Sequence, residues 1–564
     1  MKILGVHLGH DSGAALVVDG RVVADVAEER LTRIKHDEGA PIQSIEQCLR
    51  IGHLGMQDID VIALTSLGYS ALINPLFDLH HDQKELPDLK RRTMDLLRRR
   101  KSYWKLPTYM NPFVAGPKTR IVRIEHHLAH AASAYYTSGS REKQLVVTLD
   151  GAGDGVSGVV WRGEGGRITP LKRFSPEGSL GWFYGNVTEA LGWWHGDAEG
   201  KTMGLAAYGD PDKARGVLDP FHPKYSAGEL IEQHHFDDYS FWTHAGEVHY
   251  HLDEANAIAK LIAKHGRENI AAEAQRVLEE QVGQIVFPWL EKEGTRRLAC
   301  AGGTFLNVKL NQRIWESGTL DVQHIFPNAG DAGLAVGAAL HCYYQENPDA
   351  PIYPLETVQW GPEFSNEEIR DIMHRRGLAP RFEEDIAGAT ARLLANNKAV
   401  GWFQGRMESG PRALGGRSIL ISPLRVENRD HINHDVKFRE SFRPLCPSML
   451  AGDESRYFEQ SRTEKFMITS FKAAPQKKDS IPAVVHVDGT VRPQSVDRSS
   501  QPLFHNLIRE FGAITGEPIV LNTSFNIRGE PIVCDPRDAI RTFADTGLDY
   551  LVIGNYVVSK PGQN

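Results

Sequence analysis

The sequence predicts an α/β protein of two domains, the first of which contains an internal duplication. The duplication is indicated by a strand–turn–strand unit at the start of the chain that returns at residues 144–169. The composition of the chain changes after the proline-rich segment 346–364, where arginines concentrate in loops rich in glycine and proline. The length of 564 residues is also more than one hydrophobic core usually holds.

The repeated unit has the pattern of a β-hairpin headed by a turn rich in glycine and aspartate. In the first copy we expect a buried strand at residues 2–8, a turn at 9–13 and strands at 14–18 and 21–26. In the second copy we expect strands at 144–149 and 157–161 around a turn at 150–155. One copy alone would indicate an ordinary hairpin. Two copies are typical of the actin-like (ASKHA) architecture, in which two such turns face each other across a nucleotide cleft.

Two histidines and two aspartates form a candidate metal site. His126 and His130 are four residues apart, and an α-helix would place both imidazoles on one face. Asp150 and Asp331 each lie in a glycine-rich turn. A single histidine pair at this spacing is commonly an ordinary surface pair, but two imidazoles with two carboxylates suit iron, zinc or manganese.

A candidate nucleotide site follows the second repeat. A buried strand at 297–301 ends in Gly302 and Gly303, and we expect Asn307 one turn into the next helix. In actin-like folds this arrangement seats an adenosine. The sequence after Gly330 predicts a turn that enters a tightly packed helix of small residues.

The domain boundaries follow from composition. We expect a first domain at residues 1–345 with an insert at about 210–255, and one or two long helices at 256–293. The prolines of 346–364 indicate a linker, and the second domain is expected at 365–564.

The second domain carries a candidate anion site. Between Gly405 and Arg443, arginines and one lysine lie in loops next to glycine or proline, which hold guanidinium groups more rigidly than a solvated helix face does. Arginine forks suit bidentate binding of phosphate. We expect a site for phosphate-bearing small molecules here, with a structural arginine network as the alternative.

Composition excludes several classes of function. The net charge of −8 gives no basic field for nucleic acid, and a basic stretch at 90–101 has the pattern of a solvated amphipathic helix. No apolar run approaches the about 18 residues that cross a bilayer. The first residues break off too soon for a signal peptide, and the five cysteines contain no CxxC pair. We therefore expect a reduced, cytoplasmic enzyme.

The motifs together resemble the O-carbamoyltransferases of the NodU/CmcH family, nearly end to end. The resemblance rests on His10-Asp11, on four further segments of the first domain and on four segments of the second domain. These segments are residues 28–36, 126–136, 200–209, 302–303, 405–415, 442–444, 492–494 and 521–526.

The resemblance implies two coupled sites. The second domain is similar to the YrdC fold and would make carbamoyl-adenylate from carbamoyl phosphate and ATP with Mg²⁺, releasing pyrophosphate; the first would transfer the carbamoyl group to an alcohol and release AMP. By motif matching, the carbamoyl phosphate and ATP contacts would be Arg412, Lys437, Arg443, Arg492 and Asn522. The resemblance also implies iron, with zinc as an alternative, on His126, His130, Asp150 and Asp331, adenosine near Gly302, Gly303 and Asn307, and Lys35 near the phosphate.

The sequence leaves several alternatives open. His10 and Asp11 are candidates for the base that activates the acceptor hydroxyl, or His10 only binds phosphate or substrate. The acceptor could be an aminoglycoside, macrolide, β-lactam, sugar or alkaloid alcohol, as in antibiotic biosynthesis. We expect no nucleic acid or membrane partner and a monomer or homodimer. The rival functions are an actin-fold kinase and a protein of tRNA threonylcarbamoyl modification.

Overall fold

The computed structural model describes residues 1–65, 77–78, 113–236, 242–244, 247–249 and 251–560. The basic stretch at 90–101 lies outside these residues, so its helix stays a prediction. No helix in the described part of the chain combines the length and apolar character that a membrane span requires.

The first unit is a five-stranded sheet with the strand order β3-β2-β1-β4-β5. Its hairpin strands are antiparallel, and β4 and β5 extend the sheet in parallel. The elements are β1 Lys2–His7, β2 Gly13–Val18, β3 Arg21–Ala27, α1 Glu28–Thr32, α2 Ile42–Ile51, β4 Val61–Thr65, β5 Arg120–Ile124 and α3 His126–Tyr135, with the two-residue strands Phe77–Asp78 and Phe113–Val114 paired beside them.

The second unit repeats this topology in the order β8-β7-β6-β9-β10. Its strands and principal helices are β6 Gln144–Gly153, β7 Val156–Glu164, β8 Arg167–Phe174, α4 Leu180–Ala190, α5 Glu199–Ala206, α6 Leu252–His265, α7 Arg267–Glu293, β9 Arg297–Ala301, α8 Val308–Glu316, β10 Val322–Ile325 and α9 Leu334–Glu346. Again an antiparallel hairpin is followed by two parallel strands. The repeated order confirms the predicted actin-like duplication.

Helices α3 and α9 share one core with the two sheets. Alanines of both helices are buried among Ile3 and Val17 of the first sheet and Val146 and Val159 of the second. The helix of small residues predicted after Gly330 is therefore confirmed. The region predicted as one or two helices is two, since the chain breaks at Gly266 between α6 and α7.

The predicted insert contains short elements that precede α6, and its last residues are the start of that helix. The short elements are the 3₁₀ turns Pro211–Ala214 and Asp219–Phe221 and the small hairpins Lys224–Ser226 with Glu229–Glu232 and Trp242–His244 with Glu247–His249.

The C-terminal part is an α/β unit built on an eight-stranded mixed sheet, in the order β11-β18-β17-β12-β13-β16-β14-β15. Ser365 caps its first helix through a capping box with Glu368. Its elements are α10 Asn366–Arg375, β11 Arg381–Phe382, α11 Ile386–Ala395, β12 Val400–Phe403, β13 Arg417–Ile421, α12 Val426–His431, β14 Cys446–Leu450, α13 Glu454–Tyr457, β15 Gln494–Val496, α14 Pro502–Thr515, β16 Ile519–Ser524, α15 Pro536–Ala544, β17 Tyr550–Ile553 and β18 Tyr556–Ser559, with the pair Phe471–Lys472 and Thr490–Val491 beside the sheet. Its similarity to the YrdC fold stays a prediction.

The two parts of the chain share apolar contacts. Phe442 of the C-terminal part lies against Trp193, with ring centroids 5.8 Å apart. Ile468 is buried in the same cluster as residues of α4 and α7. All five cysteines are buried, and none forms a disulfide.

Asp25 is a buried carboxyl where three segments of the chain meet. It lies on β3, is 2% exposed, and accepts hydrogen bonds from Ser409 of the C-terminal part and from Asn328 near the start of α9. Burial raises the pKa of Asp25 to about 7, although the hydrogen bonds from Ser409 and Asn328 and the charge of Arg30 offset part of that effect.

We expect Asp25→Asn to stabilise the protein increasingly as the pH rises. Below pH 3.8, the ordinary pKa of the carboxyl in the unfolded chain, Asp25 is protonated in both the folded and the unfolded state. Between that pH and pH about 7, only the unfolded state releases the proton. The wild type therefore loses stability relative to the variant between these pH values, by up to roughly 4 kcal/mol. Thermal unfolding midpoints of both proteins from pH 4.5 to 8 measure this. Asp349→Asn, at a fully exposed carboxylate, is the control. A difference between Asp25→Asn and wild type that is the same at every pH would contradict the expectation.

Candidate functional site

Helix α3 presents the predicted histidine pair from a firmly capped first turn. The Glu125 carboxylate accepts hydrogen bonds from the backbone amides of His127 and Leu128. His126 and His130 are both buried and face the same side, as the spacing predicts. His127 faces elsewhere, since its ring nitrogens bond to Thr148 Oγ1 (3.1 Å) and to the Val156 carbonyl (2.9 Å).

The histidine pair meets the two predicted aspartates. His130 Nε2 lies 3.0 Å from Asp150 Oδ2 and 3.5 Å from Asp331 Oδ1, and His126 Nε2 lies 3.3 and 3.6 Å from the same atoms. The two Nε2 atoms are 3.1 Å apart. One donor atom from each side chain lies within 4.8 Å of all the others. We call these four residues the His/Asp cluster.

The charges of the His/Asp cluster suit a divalent cation. Burial raises the pKa of Asp150, but hydrogen bonds from His126 and His130 overcome this and hold it well below its usual range. Burial lowers the pKa of His130, yet Asp150 and Asp331 raise it to about 9. A proton on His130 thus supplies positive charge between two carboxylates. A metal cation would supply the same charge to the same converging nitrogen and oxygen atoms.

Gly153 at the end of β6 leaves space for the imidazole of His126. A Cβ at this position would lie 2.1 Å from His126 Cγ, so any larger residue would displace the imidazole. Residues 150–153, predicted as the start of a turn, are thus the last residues of β6, and Gly153 has a packing role in the site.

The first glycine turn brings His10 and Asp11 to the edge of the His/Asp cluster. His10 Nε2 lies 3.2 Å from Asp331 Oδ2, and its Nδ1 lies 3.1 Å from Asp11 Oδ2. The His10 side chain is 57% exposed, so solvent and a substrate can reach it. Asp11 also bonds His36 Nδ1 at 2.6 Å. His36 in turn lies 3.1 Å from Asp197, to which Lys35 is also paired.

Of the predicted adenosine residues, Gly303 lies beside the His/Asp cluster, and the position predicted for Asn307 is corrected. A Cβ on Gly303, which follows Gly302 after β9, would lie 2.9 Å from Asp150 Oδ1. Asn307 is not one turn into the helix but is the N-cap of α8, because a 3₁₀ turn occupies Gly303–Leu306 first. Its Oδ1 accepts from the Leu310 amide, and its Nδ2 donates to Gln275 at 2.9 Å.

The predicted arginines of the C-terminal part form a second cluster. Burial and the charges of Arg492 and Arg443 lower the pKa of Arg412 to about 9. Burial and Arg443 likewise lower the pKa of Arg439 to about 9. Arg492 donates to Cys446 Sγ from Nε (3.0 Å) and Nη2 (2.8 Å). We call Arg412, Arg439, Arg443 and Arg492 the arginine cluster. Besides burial, the neighbouring cations lower the pKa of Arg412, Arg439 and Arg443, so an anion would bind favourably here.

Polar atoms at the arginine cluster leave bonding capacity for a ligand. Within the described part of the chain, Arg412 Nε, Arg439 Nη2 and Asn522 Oδ1 have no hydrogen-bond partner. Lys437 differs, because its Nζ already contacts oxygens of Ser524 and of Asn526, including the Asn526 side chain at 2.5 Å. Lys437 therefore holds the segment that follows β16 in place.

Three residues of these sites were not among the predicted site residues. Arg439 lies in the arginine-rich segment, but nothing in the sequence distinguishes it from neighbours such as Arg425, whose side chain is 60% exposed. His36 and Asp197 are 161 residues apart in sequence, and only the tertiary structure brings them together.

Comparisons with known proteins identify the chain. A family model for the carbamoyltransferase N-terminus matches residues 2–340, and one for the carbamoyltransferase C-terminus matches residues 391–560. The chain belongs to the carbamoyltransferase family. The resemblance found in the sequence is therefore confirmed, and the protein is a carbamoyltransferase enzyme.

Three relatives match most of the chain. Nodulation protein NolNO of Sinorhizobium fredii is 37% identical over 560 residues, which is 98% of this carbamoyltransferase and 79% of that protein. Uncharacterized protein sll1178 of Synechocystis is 34% identical, over 98% of this chain and 96% of its own. Nodulation protein NolO of Bradyrhizobium diazoefficiens is 38% identical over 78% of this chain and 79% of its own.

Solved structures match the chain only distantly. Component A of (R)-2-hydroxyglutaryl-CoA dehydratase from Acidaminococcus fermentans has a TM-score of 0.35 and 14% identity, covering 62% of this chain and 99% of that one. Full-length HypF in a phosphate- and nucleotide-bound form has a TM-score of 0.33 and 11% identity, covering 62% of this chain and 56% of that one. At these scores the similarity carries no argument about the site.

Proposed function

We propose that this carbamoyltransferase makes carbamoyl-adenylate from carbamoyl phosphate and ATP at the arginine cluster and transfers the carbamoyl group to a small-molecule alcohol beside the His/Asp cluster. The observation that carries this proposal is the presence of two chemically different sites in one chain. One is a group of half-buried cations beside polar atoms that lack hydrogen-bond partners, and the other is a set of four metal-type donors beside an exposed histidine.

The arginine cluster suits the first half-reaction. Water would cleave carbamoyl phosphate to carbamate and phosphate, and a carbamate oxygen would then attack the α-phosphorus of ATP and displace pyrophosphate. Each step gathers anions, and arginine forks at Arg412, Arg443 and Arg492 would neutralise them and hold them in line. Mg²⁺ would accompany the ATP. Asn522, with its free Oδ1, would accept a hydrogen bond from the carbamoyl NH₂ group.

The His/Asp cluster suits the second half-reaction. His126, His130, Asp150 and Asp331 would hold iron as Fe²⁺, and zinc suits the same donors. When bound, the metal would act as a Lewis acid toward the carbamoyl carbonyl.

The residues around the cluster would bind and orient the two reactants. The adenosine of the carbamoyl-adenylate would bind at Gly302, Gly303 and Asn307, with Lys35 near its phosphate. The acceptor hydroxyl would attack the carbamoyl carbon, and AMP would leave as its C–O bond breaks. Burial lowers the pKa of His10, but Asp331 and Asp11 outweigh this effect and raise the pKa to about 10. A cation held by Asp331 would offset this rise, and His10, held by Asp11, would then take the hydroxyl proton. Holding both reactants in one cleft would supply much of the rate.

The first half-reaction can be tested without knowledge of the acceptor. We expect the wild type, incubated with carbamoyl phosphate, ATP and Mg²⁺, to release pyrophosphate and form carbamoyl-adenylate, both measured by mass spectrometry. Arg443→Ala should lower both products by roughly 100-fold, because a cationic contact to a developing charge is lost.

The control is Arg509→Ala, at an arginine on the exposed surface of α14 that pairs with Glu510. It should form both products at the wild-type rate. ADP in place of pyrophosphate would support an actin-fold kinase instead. Equal product formation by Arg443→Ala and wild type would contradict the assignment of carbamoyl-adenylate formation to the arginine cluster.

A further inference from the structure

Residues 28–37, which we call the coupling segment, contact the C-terminal part of the chain through two arginines. Arg30 Nη2 donates to the Gly410 carbonyl at 2.7 Å. Arg33 donates from Nη1 to the Ile532 carbonyl and from Nη2 to the Pro531 carbonyl, both at 2.7 Å. Arg33 Nε also lies 3.5 Å from Asp538 Oδ1. A planar guanidinium can make these contacts at once, whereas a lysine ammonium cannot span them.

The other end of the coupling segment is tied to the first glycine turn. The Asp37 carbonyl accepts from the Ser12 amide at 2.9 Å, and His36 Nδ1 lies 2.6 Å from Asp11 Oδ1. Glu29 connects the two ends, since its Oε2 accepts from the His36 amide at 3.0 Å. The segment therefore reaches from the C-terminal part to the residue that orients His10.

The backbone of the coupling segment is strained between its two ends. Arg33 and His36 both have a left-handed backbone, with φ of 65° and 54°, although neither is glycine. Such conformations persist where surrounding contacts over-determine them. At Arg33 those contacts are the two carbonyls of the C-terminal part, and at His36 they are Asp11 and Asp197.

The carbonyls that Arg33 binds are connected through neighbouring hydrogen bonds to Lys437. Pro531 follows Glu530, whose carbonyl accepts from Asn526 Nδ2 at 2.6 Å. Asn526 also accepts from Lys437, a predicted nucleotide contact. On the other side, His10 bridges Asp11 and Asp331 of the His/Asp cluster. A series of hydrogen bonds and short chain segments thus runs from the His/Asp cluster to Lys437, which precedes Arg439 of the arginine cluster by two residues.

We propose that Arg33 is a positioning residue for carbamoyl transfer: by clamping the Pro531–Ile532 backbone it holds the coupling segment so that His36 and Asp11 orient His10 at the His/Asp cluster. The proposal rests on the proposed two-step function and deepens it. Arg33 contacts neither cluster directly, so its effect on the reaction passes through His36. The coupling is measured as a change at His10 and its turn when the distant Arg33 is replaced.

The first test separates the two half-reactions in the full-length protein. For Arg33→Ala we expect pyrophosphate release from carbamoyl phosphate and ATP to stay within about twofold of wild type. With a panel of sugar and aminoglycoside alcohols, kcat for acceptor carbamoylation should fall by roughly 10- to 100-fold, because a small misplacement of a catalytic group has that effect. Arg33→Lys should recover only part of the loss. Equal losses in both half-reactions would indicate a general structural role and overturn the proposal.

The second test does not depend on the proposed function. Hydrogen exchange of the unliganded protein, followed by mass spectrometry, reports on the Ser12 amide, which Asp37 protects. Arg33→Ala should raise exchange in residues 9–13 at least about fivefold and leave residues 297–301 unchanged. The control is Arg462→Ala, which removes another guanidinium that bonds across the two parts, to Gln323, away from the coupling segment.

The outcomes of the two tests are distinguishable. If the wild type forms no pyrophosphate but exchange rises as expected in Arg33→Ala alone, the proposed function fails and the positioning of the first turn by Arg33 stands. If residues 9–13 exchange equally in Arg33→Ala and wild type, the positioning role of Arg33 is wrong whatever the reaction. An equal rise in Arg462→Ala would also overturn it.

Discussion

His130→Ala should abolish metal binding and carbamoyl transfer while carbamoyl-adenylate formation continues. His130 Nε2 lies 3.0 Å from Asp150 and 3.5 Å from Asp331, so the imidazole is central to the four donors. The loss of a residue that only hydrogen-bonds a metal ligand already costs about 10- to 100-fold in metal affinity, and the loss of a donor should exceed about 100-fold. Metal per chain is measured by mass spectrometry after purification from iron-supplemented cells, and by titration of the stripped protein with Fe²⁺ and Zn²⁺.

His127→Gln is the matched control, because His127 is equally buried on the same helix but bonds to Thr148 and the Val156 carbonyl. It should retain the wild-type metal content. Retention of metal by His130→Ala, or equal loss in both variants, would contradict the assignment of the cluster. Loss of pyrophosphate release in His130→Ala would contradict the separation of the two sites.

The sequence predicts most of what positions the His/Asp cluster because its signals are local. The hairpins follow from short apolar runs bounded by glycine and aspartate, and the histidine pair follows from the helical period. The meeting of α3 with Asp150 and Asp331 follows once the duplication is recognised, since Asp150 lies near the end of β6 and Asp331 begins the 3₁₀ turn that precedes α9.

The contacts that depend on distant parts of the chain are not predictable in this way. An asparagine suits a helix N-cap as well as a ligand-binding turn. Packing therefore decides which of these two positions Asn307 occupies. The pairing of His36 with Asp197 requires left-handed backbone at Arg33 and His36, which no sequence pattern indicates for such residues. Which arginines of the second domain are buried likewise depends on how the 405–443 loops pack.

Gly337→Ala should destabilise the protein and weaken its metal site together. Gly337 lies on α9, and a Cβ there would lie 1.8 Å from the Ala129 carbonyl oxygen and 3.0 Å from the Ser133 nitrogen of α3. Both are backbone atoms, so they cannot rotate away and the helices must separate. We expect a loss of about 3 kcal/mol in the free energy of unfolding, at the upper end for overpacking. Thermal unfolding and metal titration measure the two effects.

The coupling of stability to the metal site follows from where Ala129 lies. It stands between His126 and His130 on α3, so a displacement of the helix at Ala129 moves both imidazoles relative to Asp331 at the start of α9. Gly200→Ala is the control, since a Cβ at that helical glycine meets nothing within 4 Å. It should leave stability unchanged or raise it by up to about 1 kcal/mol. Wild-type metal affinity in a destabilised Gly337→Ala would contradict the argument that close packing of α3 on α9 sets the geometry of the cluster.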